Sequence, residues 1–290
     1  MSQLTVTDAL EQGRKRLAKI SETAKSDAQV LLAHITGKEK AGLLTHPEDK
    51  FAGELQEEWE ASLARLEAGE PLPYVIGEWE FYGLMFKVTP AVLIPRPETE
   101  LLVETCLRWL NAHPRHRRAL DIGTGSGCIP VALVKNMPDL QMIATDISPE
   151  ALEVAQANVE HHNLTDRIRL VETNLIEGIE GTFDLITANL PYIPDERLPS
   201  LAVSKWEPRL ALGGGPDGLR FIEPFLEQAK AKLNPEGLVL AEIDASLEEA
   251  VQQLAESLWP HSLRSGHAPA DIEVRKDLAG LPRLLVIETK

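Results

Sequence analysis

Apolar positions near the start of the chain repeat at helical spacing. Val6, Leu10, Leu17 and Ile20 lie roughly on one face of a helix. Ser26-Asp27-Ala28-Gln29 has the form of a capping box ahead of Val30-Leu31-Leu32, and Gly37 supplies a stop. A third helix is predicted after Pro47, with a stripe of Leu55, Trp59, Leu63 and Leu66 and an end at Gly69. Three short helices with few strand signals predict a small helical domain over residues 1–73. Beyond Gly69-Glu70-Pro71-Leu72-Pro73 the texture changes. Aromatic and β-branched residues broken at Gly77 and Gly83 predict a β-hairpin linker over residues 74–94. Pro95-Arg96-Pro97 then stiffens the chain before a helix led by Leu101, Leu102, Cys106 and Leu110.

From Arg118 onward, strand and helix patterns alternate. Candidate strands cover residues 119–122, 142–146, 168–171, 183–188, 237–243 and 284–288. Helical patterns cover 151–161, 219–232 and 247–258. Alternation of this kind predicts an α/β fold with a largely parallel, doubly wound sheet, spanning residues 95–290.

Length and composition fit this organisation. The 290 residues suit two domains, or one with a large extension. A net charge of −16 argues against a nucleic-acid partner, which usually calls for a basic face. Cys106 and Cys128 are too few for a disulfide framework or a zinc site, so a reducing cytoplasm is expected. The first twenty residues carry Asp8, Glu11, Arg14, Lys15 and Arg16 and show no signal-peptide core. No apolar run is long enough to span a bilayer, so no membrane association is expected.

Two segments carry candidate chemistry. Asp121-Ile122-Gly123-Thr124-Gly125-Ser126-Gly127 follows a strand and opens a helix. Its glycines let the backbone approach a ligand, and the helix start offers free N–H groups. Cys128 stands where the dinucleotide fingerprint needs a glycine, which weakens a nicotinamide or flavin reading. Asp146, about 20 residues on at the end of the next strand, is placed to accept from two ribose hydroxyls. Asp121 is placed to accept from an ammonium group or from loop N–H groups. A structural glycine turn with solvated acids is the plainer alternative.

The second segment, Asn189-Leu190-Pro191-Tyr192, ends a strand at the sheet edge where ligands bind. A planar amide or amino nitrogen is a poor nucleophile because its lone pair is delocalised. Two acceptors aimed at its N–H groups hold it and favour pyramidalisation as a methyl group arrives. The Asn189 side-chain oxygen and the Leu190 carbonyl are the candidates, the latter held extended by the following proline. Tyr192 is placed to stack on or wall the planar group. Such a site works by positioning and electrostatics rather than a strong base. The plainer alternative is an Asn-Pro turn with a packed tyrosine.

Other residues invite bland readings. His161 and His162 point apart on a helix and suit a solvated face rather than a metal. Cys128 suits packing. Trp79, Phe81 and Tyr82 suit either a partner surface or hairpin core.

The chain resembles the HemK/PrmC family of protein-glutamine methyltransferases. Resemblance rests on residues 69–77, Phe81-Tyr82-Gly83, Leu93-Ile94-Pro95-Arg96-Pro97-Glu98-Thr99-Glu100, the glycine loop, residues 189–194, and Glu207-Pro208-Arg209-Leu210-Ala211-Leu212 leading into Gly213-Gly214-Gly215-Pro216-Asp217-Gly218. It implies a Rossmann-like class I methyltransferase domain with a mostly parallel seven-stranded sheet, a helical N-terminal domain that grips the substrate, and a hairpin between them. The implied cofactor is S-adenosyl-L-methionine, with S-adenosyl-L-homocysteine as product. The implied partners are class 1 peptide chain release factors, methylated on the glutamine of a Gly-Gly-Gln loop. By motif match Asp121, Gly123, Thr124, Gly125, Ser126, Gly127, Asp146, Asn174, Leu175 and Asn189 contact the cofactor. Residues Asn189, Leu190, Pro191 and Tyr192 hold the glutamine, with Arg96 and Glu100 at the mouth of the site.

Three positions depart from the family pattern. Leu190 stands where a proline is usual, Asn174 where an acid is common, and Asp244 where a glycine is expected after Glu242-Ile243. Asn-Leu-Pro-Tyr also resembles the motif of ribosomal RNA adenine dimethyltransferases, which have basic chains and a C-terminal extension. A glutamine methyltransferase of a ribosomal protein and a catalytically silent binding module are the remaining alternatives.

Overall fold

The computed structural model describes residues 4–50, 53–259 and 270–290, in two compact units, Met1–Glu78 and Trp79–Lys290. In the first unit, α1 (Val6–Leu17) starts at Thr5, whose hydroxyl accepts from the Asp8 N–H while its own N–H donates to the Asp8 carboxylate. This reciprocal box satisfies two otherwise free donors. α2 (Ala24–Thr36) starts two residues before the predicted box at Ser26. Its Asp27 instead accepts from the hydroxyls of Ser21 and Thr23 and holds the preceding turn. Gly37 ends α2 in the left-handed conformation, as its position predicts. α3 (Lys40–Thr45), unforeseen in the sequence, precedes α4 (Gly53–Glu67). Leu31, Leu32, Trp59 and Leu63 are fully buried between these helices. Ile20 falls beyond the end of α1 and is 51% exposed, so it does not extend the predicted stripe.

Tyr74 to Ile76, predicted to enter the hairpin, form α5 (Leu72–Ile76). The N–H groups of Tyr74 and Val75 turn back onto the Pro71 carbonyl, and Leu72, Val75 and Ile76 pack on the helical core. Arg65 donates to the carbonyls of Tyr74 and Val75 and locks that turn. Strand propensity loses here to burial against an existing apolar face.

The hairpin is β1 (Glu78–Phe81) and β2 (Leu84–Lys87), joined by Tyr82 (φ 52°) and Gly83 (φ 71°). Two consecutive positive φ values suit the right-handed twist of a two-residue hairpin turn. Phe81 and Phe86 are buried, so Phe81 is core rather than partner surface.

In the second unit the elements run in the order α6 (Glu100–Ala112), β3 (Arg118–Ile122), α7 (Cys128–Asn136), β4 (Gln141–Asp146), α8 (Pro149–His161), β5 (Ile168–Glu172), β6 (Phe183–Ala188), α9 (Ile222–Lys232), β7 (Leu233–Glu242), α10 (Glu248–Leu258), β8 (Ala270–Lys276) and β9 (Pro282–Thr289). The strands form a seven-stranded sheet in the order β5-β4-β3-β6-β7-β9-β8. β9 runs antiparallel to β7 and β8, and the other pairs are parallel. This is the predicted Rossmann-like α/β class. β8 was not among the predicted strands, although Ala270, Ile272 and Val274 alternate with Asp271, Glu273 and Arg275 in a half-buried period of two. Apolar clusters cover both faces of the sheet, which is why its central strands are almost continuously buried. Among the described residues no helix is long and apolar enough to cross a membrane.

α8 holds the hairpin to this unit. The buried Asn158 accepts from the Lys87 N–H at 2.7 Å and donates to the Lys87 carbonyl at 3.0 Å and the Ser126 carbonyl at 2.8 Å. His162, predicted on a solvated face, is buried and bonds the Met85 carbonyl at 2.8 Å, because the hairpin lies over it.

Candidate active site

Strand order reverses between β3 and β6, whose following connections leave the sheet on opposite sides. In open α/β sheets that crevice at the carboxyl ends of the strands is where ligands bind. A cleft of about 1020 Å³, counted to its open mouth, lies there. Its walls come from the loops after four strands. Gly123, Thr124, Gly125 and Ser126 follow β3, Asp146 ends β4, Asn174 and Leu175 follow β5, and Asn189, Leu190 and Pro191 follow β6. Arg96 and Thr99 from the segment before α6 line it too. The structure thus brings together most of the residues singled out in the sequence. Asp121, Gly127, Glu100 and Tyr192 are not among the lining residues.

The glycine loop is shaped by backbone geometry. Gly123, Gly125 and Gly127 all have positive φ, a region that side chains disfavour. A Cβ on Gly123 would sit 2.9 Å from Leu190 Cδ2, so the unusual leucine of the tetrapeptide packs directly onto the loop. A Cβ on Gly125 would meet nothing within 4 Å, so open space lies beside the backbone there. Asp146 ties the loop down. Its Oδ2 accepts from the Gly125 N–H at 2.8 Å and its Oδ1 from the Ser148 N–H at 3.0 Å. Burial pushes this carboxyl up, and the N–H groups of Ser148 and Gly125 pull it back. Each oxygen keeps a further acceptor site for a hydroxyl from the cleft.

Asp121 lies fully buried in β3. Its Oδ1 accepts from Thr187 at 2.7 Å, while its Oδ2 and the buried Thr124 hydroxyl have no hydrogen-bond partner. Burial lifts its carboxyl to about 7, against the weaker opposing pull of Thr187 and the nearby Thr124. An unpaired buried acceptor and an unpaired buried hydroxyl, side by side beneath a glycine cradle, suit a cationic amine. Asn174 donates through Nδ2 to Glu177 Oε1 at 2.8 Å. That turns its amide oxygen into the acceptor that an acid would otherwise provide.

Asn189 is held by a buried polar chain. Its Nδ2 donates to Thr99 Oγ1 at 3.2 Å, and Thr99 donates to Glu242 Oε2 at 2.6 Å. Tyr192 donates its hydroxyl to Glu242 Oε1 at 3.2 Å. Burial raises both Tyr192 and Glu242, with Glu242 adding to the rise at Tyr192. Tyr192 therefore braces the segment from behind in this structure. Arg96 pairs with the buried Glu207, which also accepts from the Ile94 N–H at 3.2 Å. Glu100 accepts from the Tyr82 N–H at 3.0 Å and faces the hairpin turn.

The backbone of the tetrapeptide is gripped as well. Gly214 donates to the Ile193 carbonyl at 2.8 Å and Ile193 donates to the Leu212 carbonyl at 3.0 Å. A Cβ on Gly214 would come 2.7 Å from the Tyr192 backbone. Gly214 and Gly218 are therefore small because the chain passes flush against Tyr192 there.

Comparison with known proteins gives this geometry a family. Residues 8–77 match the PrmC N-terminal domain model, and residues 97–204 match the methyltransferase small domain model. A release factor glutamine methyltransferase of Koribacter versatilis is 36% identical over 290 residues, 98% of each chain. One from Moorella thermoacetica is 40% identical, over 88% of this chain and 91% of that protein. The chain belongs to the release factor glutamine methyltransferase family. A T. thermophilus 16S rRNA methyltransferase solved with AdoMet and guanosine shares the fold at 18% identity and a TM-score of 0.52, over 73% of this chain and 50% of that one.

Within that family frame, Thr99, Asn158, Glu207 and Glu242 are residues to which sequence reasoning assigned no role. Three of them are buried charged or amide groups whose partners lie far away in sequence, so no local spacing announces them. Cys128 behaves as expected for packing, with burial lifting its thiol to about 12.

Proposed function

We propose that this protein transfers the methyl group of S-adenosylmethionine to the side-chain amide nitrogen of the glutamine in the Gly-Gly-Gln loop of class 1 peptide chain release factors. The observation that carries the reading is Asn189 at the cleft, its Nδ2 spent on Thr99 and its Oδ1 left to accept. An acceptor is what a planar N–H group needs, in a glutamine amide and an adenine amino group alike, and the family to which the chain belongs favours the glutamine.

The cleft residues fit the cofactor. The unpaired Asp121 carboxylate oxygen and Thr124 hydroxyl suit its ammonium, and the remaining acceptor sites of Asp146 suit its ribose diol. Asn174 and Leu175 suit the adenine edge and face. When bound, S-adenosylmethionine supplies an electrophilic methyl on a sulfonium that is already a good leaving group, with S-adenosylhomocysteine as product. The chain's own work is then positional. Asn189 Oδ1 and the Leu190 carbonyl hold the two N–H hydrogens of the glutamine amide. That draws its lone pair out of conjugation and toward the methyl, and once the N–C bond has replaced the S–C bond one of the two held hydrogens leaves the nitrogen as a proton to solvent. A translation-termination substrate, together with two free buried cysteines, suits the cytoplasm.

The test is an incubation with S-adenosylmethionine that offers a cognate release factor and ribosomal RNA side by side. Mass spectrometry of the Gly-Gly-Gln peptide should show the mass of one added methyl. Methyl found on the RNA, or none on the peptide, would overturn the reading.

A further inference from the structure

Asn189 can serve as an acceptor only if its amide is turned the right way, because the oxygen and NH2 ends of an amide have nearly the same shape and opposite hydrogen-bonding character. Something must choose between them. A threonine hydroxyl has a single hydrogen to give. In this structure that hydrogen goes to Glu242 Oε2 at 2.6 Å, in the shorter of the two Thr99 contacts. Toward Asn189, 3.2 Å away, Thr99 is left able only to accept. The NH2 end of Asn189 must therefore face Thr99, and the oxygen is committed to the other side of the amide. The second oxygen of Glu242 takes the Tyr192 hydroxyl, so the carboxylate cannot rotate away without breaking two bonds.

We propose that Thr99 and Glu242 are positioning residues that set the polarity of the Asn189 amide. This rests on the proposed function for the identity of the substrate. Neither residue need touch the reacting atoms. Glu242 accepts at both of its oxygens, Thr99 relays that character across a single hydroxyl, and Asn189 displays the result to the cleft. If Glu242 is replaced by glutamine, its NH2 can donate to Thr99. Thr99 is then free to donate to Asn189 Oδ1, and the amide reverses. A reversed Asn189 presents N–H groups to the N–H groups of the glutamine and repels it.

Thr99→Val removes the hydroxyl with little change of shape. It should lower kcat by about 10- to 100-fold, the scale of loss for a misdirected catalytic contact. Cofactor affinity by calorimetry should stay within about threefold. Thr99→Ser, which restores the hydroxyl, should recover kcat to within about threefold, and Glu242→Gln should resemble Thr99→Val. A merely structural role would lower thermal stability without this split or this rescue. The inference is overturned if Thr99→Val turns over like the wild type, or if Thr99→Ser is as slow as Thr99→Val. A second readout does not depend on methyl transfer. The side-chain NH2 resonances of Asn189, assigned by their loss in Asn189→Asp, should shift in Thr99→Val and stay in Thr99→Ser. If the wild-type protein fails to methylate a glutamine, the function is misread, and these resonances still decide whether Thr99 holds the amide.

Discussion

At the scale of single residues, two groups carry the proposed chemistry and both are unusual for their surroundings. Asp121 is a fully buried carboxylate in a central strand. Burial raises it to about 7, so the folded protein holds a proton there between the ordinary carboxylate range and neutrality, where the unfolded chain does not. Stability from this group therefore falls as pH rises through that window and is constant above it. A bound ammonium reverses the balance by favouring the charged form. Cofactor affinity should be roughly tenfold weaker at pH 5.5 than at pH 7, and Asp121→Asn should flatten that dependence in calorimetry. A wild-type affinity that ignores pH would remove Asp121 from the cofactor site. Asn189→Ala should cut kcat by about 10²-fold or more, through loss of one positioned acceptor. Single-turnover rates check this against cofactor binding. Both residues stand out in the sequence because an acid and an amide at strand ends break an apolar pattern. Thr99 and Glu242 do not stand out, since their roles exist only through contacts 143 and 90 positions apart along the chain.

Among the elements, the loop carrying Gly213 to Gly218 decides where the tetrapeptide sits. Gly218 has φ 84°, and a Cβ there would lie 2.5 Å from the Tyr192 carbonyl oxygen. Neither the backbone conformation nor the space allows a side chain. Gly218→Ala should cost about 2–3 kcal/mol of stability, roughly 4–12 °C in Tm for a unit of this size. It should also lower kcat, because the displaced Tyr192 pulls on Glu242. Calorimetric melting and turnover measured together check both effects, and an alanine variant that melts normally would contradict the contact. The helices of the sheet domain follow their sequence patterns closely. α5 and α3 did not, since a one- or two-turn helix offers too few apolar positions to show a period. β8 shows its alternation plainly once its pairing with β9 is known.

For the whole molecule, each of the two units has its own apolar core. That independence makes a division of labour testable. Residues 79–290 alone are expected to fold and to bind cofactor within about threefold of the full chain. They should methylate a short Gly-Gly-Gln peptide normally but an intact release factor at least about tenfold more slowly, having lost the second contact that raises effective concentration. Equal rates on the intact release factor would remove the helical unit from substrate recognition. The role assigned to that unit comes from resemblance, because nothing in its helical periodicity names a partner.

Some properties of this protein are local and were set by the sequence alone. Strand–helix alternation sets the parallel part of the sheet, because a helical crossover returns each strand in the same direction. The glycine loop and Asp146 mark a ligand edge, because positive φ and a strand-end acid are properties of neighbouring residues. The expectation of a planar nitrogen substrate at Asn189 to Tyr192 is local for the same reason. Tertiary structure decided what depends on partners distant in the chain. It packs Leu190 onto Gly123, it leaves Asp121 Oδ2 unpaired beneath the cleft, and it buries Glu242 where it can pass its acceptor character through Thr99 to Asn189. An amide's direction is fixed by which hydrogens its neighbours have left to give, and those neighbours meet only when the sheet closes.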